Sequence, residues 1–141
     1  TCIPPSGRNH YTMVEQTAKE YCGVSGGVRF AGVHLLIELW EGENFCDLPA
    51  IDRILRQAVD DCGATLLSMN LHEFSPGGGI SGVGMLSESH ITIHTWPEYE
   101  YAAMDLFVCG TVDPHLAVPA LKEGFNPRNI QITEIKRGIL S

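Results

Sequence analysis

The stretch that most restricts the fold is "SHITIHTWPEYEYAAMDLFVC", residues 89–109. Polarity alternates from His90 to Trp96, a proline-bearing "PEYE" interrupts, and a second run follows from Tyr101 to Cys109. A period of two followed by a turn and a second such run reads as an antiparallel hairpin. If the turn sets Trp96 opposite Tyr101, Ser89 lies beside Val108 or Cys109, and His94 near Ala103. Register alone then brings a thiol next to a serine at one end of the hairpin. The glycine-rich loop at residues 77–82 is expected to enter the same region.

The flanks read as further elements of one sheet. "VRFAGVHLLIELW" is an apolar, β-rich run over Val28–Trp40. Asp47 can cap a helix with Pro49 in its first turn. Ile51, Ile54, Leu55, Ala58, Val59 and Cys62 recur on one face of it, and Gly63 stops it. "ATLLSMNLHEF" is a strand, and "VGMLS" and "HITIHTW" are one strand interrupted, or two meeting, at Glu88-Ser89. Asp113 and Pro114 start a second helix with Leu116, Ala120 and Leu121 on one face and Gly124 as terminator. "NIQITEIKR" alternates as a last strand. The order is β-α-β-β-β-α-β, an α+β fold in which an antiparallel β-sheet carries two helices on one face. Residues 1–27 read as an N-terminal extension with one short helix near residues 14–21 and the linker "GVSGG". Residues 28–141 read as the functional domain.

A chain of 141 residues is long enough for one independent core. Its formal charge of −8 speaks against nucleic acid or an anionic membrane as partner, since both need clustered Lys and Arg. No apolar run reaches the roughly 18–20 residues of a membrane span. The first residues lack an apolar core flanked by positive charge, so no signal peptide is expected. Five cysteines without a C-x-x-C pair suit reduced thiols in a cytoplasm.

Three familiar chemistries fit poorly. His90 and His94 share a strand face, but four residues separate them by about 13 Å, too far for one metal ion, so no metal is expected. "GISGV" around Ser81 lacks the glycine placement of a hydrolase nucleophile elbow and leads into a strand. Gly77, Gly79 and Gly82 satisfy G-x-G-x-x-G, yet without a following helix the match says little about a dinucleotide. Taken singly, Ser89, His90, His94 and Cys109 read as half-buried polar and small core residues. Only their grouping argues for chemistry.

The strings "ESHITIHTWPE" and "YAAMDLFVCG", with "HEFSPGGGISG" and "GATLL" upstream, resemble prokaryotic S-adenosylmethionine decarboxylase proenzymes, a family of self-processing pyruvoyl enzymes. The resemblance covers residues 32–138. It implies that the Ser89 hydroxyl attacks the Glu88 carbonyl, that the resulting ester undergoes β-elimination, and that the chain splits between Glu88 and Ser89. Hydrolysis then leaves a covalent pyruvoyl group in place of Ser89. By the same resemblance His94 and Ser81 assist processing, with His94 implicated in the elimination. The pyruvoyl ketone forms a Schiff base with the substrate amine, and Cys109 is the proton donor after carbon dioxide departs. Phe74 stacks on adenine, Glu98 binds the ribose hydroxyls, and Trp96 lines the pocket or packs the turn. His90 is left as structural. The implied product is the aminopropyl donor for spermidine synthesis. The implied assembly is a homodimer whose sheets pack face to face as a four-layer α-β-β-α sandwich, with sites at the subunit interface. Related pyruvoyl enzymes act on arginine or ornithine, and a non-processing regulatory paralogue is a further alternative.

Overall fold

A computed structural model describes residues 23–25, 27–109 and 111–140 of the chain. The helix expected at residues 14–21 lies outside them. Seven strands form one antiparallel sheet: β1 (Gly23–Ser25), β2 (Val28–Trp40), β3 (Leu66–Glu73), β4 (Ile80–Leu86), β5 (Ser89–Trp96), β6 (Tyr101–Cys109) and β7 (Asn129–Leu140). In space the order runs β3-β4-β5-β6-β2-β7, with the short β1 pairing with the start of β2. Part of the expected linker is therefore strand, since Gly23 pairs with Phe30 and Ser25 with Val28.

Helix α1 (Leu48–Asp61) begins where Asp47 accepts a hydrogen bond from the Ala50 N–H at 3.0 Å. It stops before Gly63, whose φ of +78° most side chains avoid. All six residues expected on its inner face are buried. They pack with α2 (Val118–Phe125) onto the alternate residues of the central strands: Leu35, Ile37 and Leu39 of β2, Ile91 and Ile93 of β5, and Ala102, Met104, Leu106 and Val108 of β6. Each fully buried Leu or Ile contributes about 1.5–3 kcal/mol. The helices thus take one face of the sheet and leave the other to polar, aromatic and a few exposed aliphatic side chains.

The second helix departs from expectation in three ways. Asp113 caps only a 3₁₀ turn over Pro114–Ala117, accepting from the His115 N–H. The α-helix proper begins at Val118, where Pro119 can sit because the first turn needs no N–H from it. Leu116 is 54% exposed and so is no core residue. Gly124 does not terminate the helix; Asn126, with φ of +42°, does. The glycine is there because a Cβ on it would lie 2.4 Å from Ile54 Cγ1, so its absence lets α2 approach α1. Among the described residues no helix is long and apolar enough to cross a membrane.

Candidate active site

The hairpin register is as the turn dictates: Trp96 pairs with Tyr101, His94 with Ala103 and Ser89 with Val108. "VGMLS" and "HITIHTW" are two strands, since Leu86 of β4 pairs with Ser89 of β5. Ser87 and Glu88 form the tight connection between them. The Ser87 N–H donates to the Thr65 carbonyl at 2.9 Å. The Glu88 carboxylate accepts from the Thr65 N–H at 2.7 Å. Most telling, the Glu88 carbonyl accepts from the Cys109 backbone N–H at 3.0 Å. Ser89 has φ of +151°, a conformation that L side chains rarely adopt and that costs about 1–3 kcal/mol where it is imposed. The turn therefore holds a polarised Glu88 carbonyl directly ahead of a strained Ser89 backbone.

The remaining predicted residues gather at the opposite end of β5. The Ser81 hydroxyl and His94 Nδ1 are 2.9 Å apart on paired strands. Trp96 stacks on Tyr101 with ring centroids 5.4 Å apart, so it does pack the turn, and it keeps an exposed edge. Glu98 is exposed in the 3₁₀ turn Pro97–Tyr99. Phe74 is 67% exposed and packs edge-on against His72. The glycine loop enters here, not beside Ser89 as expected. Its Gly79 carbonyl accepts from the Phe74 N–H, and a Cβ on Gly79 would lie 2.8 Å from the Thr95 carbonyl. β4 runs antiparallel to β5, so a loop that precedes β4 must reach the far end of β5. Five residues of strand put Ser89 and His94 about 16 Å apart. Within one chain, the predicted site is two half-sites.

A third group was not legible as a site in the sequence. On the face away from the helices, Asp105 Oδ2 accepts from His34 Nε2 at 2.6 Å and from His90 Nε2 at 2.8 Å. Thr92 Oγ1 donates to the other carboxylate oxygen. An Arg137 guanidinium N–H reaches His34 Nδ1 at 3.0 Å. Burial raises the Asp105 pKa, but the hydrogen bonds from Thr92, His34 and His90 outweigh it and leave the group below its ordinary value. These side chains come from β2, β5, β6 and β7, so only the pairing of distant strands assembles them. Close by, Tyr101 donates to Glu38; burial and that carboxylate push its phenol up to about 12. A larger depression, lined by Val24, Phe30, Thr111 and Lys136 among others, contains none of the predicted site residues.

The sequence profile of the S-adenosylmethionine decarboxylase family matches residues 33–138. The chain belongs to the S-adenosylmethionine decarboxylase family. It is 50% identical over 112 residues to an S-adenosylmethionine decarboxylase proenzyme of Methanococcus maripaludis, covering 77% of this chain and 91% of that one. A proenzyme of the same name from Thermodesulfovibrio yellowstonii is 49% identical over 113 residues, 78% of this chain and 83% of that one. The crystal structure of the adenosylmethionine decarboxylase from Aquifex aeolicus has a TM-score of 0.73 and 31% identity, covering 79% of this chain and 94% of that chain. The α+β fold of this family is thus the fold described above.

Proposed function

We propose that the chain is a proenzyme that cleaves itself between Glu88 and Ser89 and then decarboxylates S-adenosylmethionine in the cytoplasm, giving the aminopropyl donor for spermidine synthesis. Residues 28–141 are assigned to this decarboxylase domain. The observation that carries the reading is the Cys109 N–H on the Glu88 carbonyl at 3.0 Å, in front of a strained Ser89. When the Ser89 oxygen adds to that carbonyl carbon, the carbonyl oxygen gains negative charge. A backbone donor already aimed at it stabilises that charge without reorganisation. Collapse of the adduct breaks the C–N bond, frees Ser89 from its strained φ and leaves an ester on Ser89.

The chain fits a pyruvoyl group at this position, because the β-hydroxyl it is made from, the acyl carbonyl and the Cys109 backbone, whose N–H meets that carbonyl at 3.0 Å, converge at one turn. Once formed, that ketone supplies an electron sink for loss of carbon dioxide. The chain's own residues do the rest. Cys109 Sγ delivers a proton to the carbon that has lost its carboxylate. Phe74 offers an exposed ring for a purine, and Glu98 paired acceptor oxygens for a diol. Trp96 lines the same end of the sheet. Ser81 and His94 assist processing, with His94 acting in the elimination.

About 16 Å of strand between Ser89 and His94 means that one chain cannot complete this site. The sheet face away from the helices exposes Val83, Met85, Trp96 and Ile135. A homodimer with these faces together and β5 strands opposed brings Ser89 and Cys109 of one protomer to Phe74, His94 and Glu98 of the other. Mixed dimers test this. Cys109→Ala and Glu98→Ala chains, each inactive alone, should on coexpression recover about a quarter of wild-type activity, since random pairing makes half the dimers mixed and repairs one of two sites in each. No recovery would mean that each site lies within one chain.

A further inference from the structure

We infer that His90 is the general base that takes the Ser89 hydroxyl proton in the first step of self-cleavage, with Asp105 and His34 as its positioning residues. This rests on the self-cleaving reading above and assigns chemistry to a histidine that sequence reading leaves as structural. The hydrogen-bond donors fix the protonation pattern. A guanidinium only donates, so Arg137 makes His34 Nδ1 an acceptor and leaves the proton of His34 on Nε2, where it donates to Asp105. The Asp105 carboxylate only accepts, so His90 Nε2 must also carry a proton. In neutral His90 the free lone pair is then on Nδ1, and Nδ1 is 3.4 Å from Ser89 Oγ. Hydroxyl, imidazole and carboxylate stand in series. The hydroxyl contact is longer than a mature O–H···N bond, as is usual for a base before its reaction begins.

His94 does not compete for this step within the chain. It lies about 16 Å along the strand, and its Nδ1 is engaged with Ser81 at 2.9 Å. The proton balance closes on His90 alone. Oγ–H gives its proton to Nδ1 as the Oγ–C bond to Glu88 forms. The imidazolium, held by Asp105, then returns that proton to the Ser89 nitrogen as the C–N bond breaks, leaving an ester and a free amine. No oxidant or second reactant is needed. The unusual Ser89 φ has a role here too: a regular strand would turn Ser89 toward the helix side with Val108, away from His90.

The groups facing His90 that carry charge or titrate are Asp105 and Cys109 on β6, His34 on β2 and, through His34, Arg137 on β7; its β4 partner, Met85, is neutral. The test follows full-length chain into two fragments after cell-free synthesis, by denaturing gel and intact mass. His90→Gln keeps an N–H for Asp105 but has no basic nitrogen. It should slow cleavage by about 10²-fold or more while leaving the thermal midpoint of the Ser89→Ala background unchanged. Asp105→Asn should slow it less. Wild-type cleavage should fall on the acid side as an imidazole gains its proton, and that limb should be absent from the residual rate of His90→Gln. Cleavage of His90→Gln at the wild-type rate, or slowed with the acid limb intact, would overturn the assignment. A wild-type chain that stays whole would instead overturn the self-cleaving reading itself.

Discussion

Thr95 is a buried polar residue between His94 and Trp96, 6% exposed, and valine at this position would test how the far half-site is held. Its hydroxyl accepts from the Ile80 N–H at 2.9 Å and donates to the Phe45 carbonyl at 2.7 Å. It therefore ties β5 both to the end of the glycine loop and to the segment that precedes α1. Valine matches threonine in shape but leaves one buried donor and one buried acceptor without their partner. Each such group costs about 1–3 kcal/mol, and the added methyl returns about 0.8 kcal/mol. The net loss is about 1–5 kcal/mol, which for a domain of this size lowers the unfolding midpoint by about 4–20 °C. Calorimetry or circular dichroism on purified Thr95→Val against wild type measures it. A fall of only a degree or two would refute the reasoning, because it would mean that neither backbone group depends on this hydroxyl.

Two further outcomes follow from the geometry. Cys109→Ala removes the thiol but keeps the backbone N–H on the Glu88 carbonyl, so the variant should still split into two fragments while losing most carbon dioxide release; a chain that stays whole would show that the thiol itself is needed for cleavage. Asp105 has a folded-state pKa below its ordinary 3.8, so its contribution to stability is complete above that value and is lost as pH falls through the lower, folded one. Acid unfolding of wild type and Asp105→Asn should therefore converge below about pH 3.8; a stability gap that persists unchanged in strong acid would contradict the shift.

What the sequence disclosed was set by distance along the chain. The hairpin register needs only the short turn between Trp96 and Tyr101, and the pairing of Ser89 with Val108 follows from it. Helix α1 carries its cap, its apolar face and its stop within one local window. Glycine marks both helix ends and close helix approach, and only the position of Ile54 shows that Gly124 serves the second. The end of the sheet that the glycine loop reaches depends on the direction of β4, hence on where the chain reverses, and it reverses at Glu88. The His34–Asp105 contact joins residues 71 apart in sequence, and nothing local to either strand announces it. The separation of Ser89 from His94 was legible from strand rise alone.

The most direct test of the central claim is carbon dioxide release from carboxyl-labelled S-adenosylmethionine, arginine and ornithine in parallel, using the processed protein. Release from S-adenosylmethionine alone is the predicted result, and Phe74→Ala and Glu98→Gln should each depress it. Release from arginine or ornithine instead would contradict the account at the pocket, and release from none of the three would contradict it as a whole.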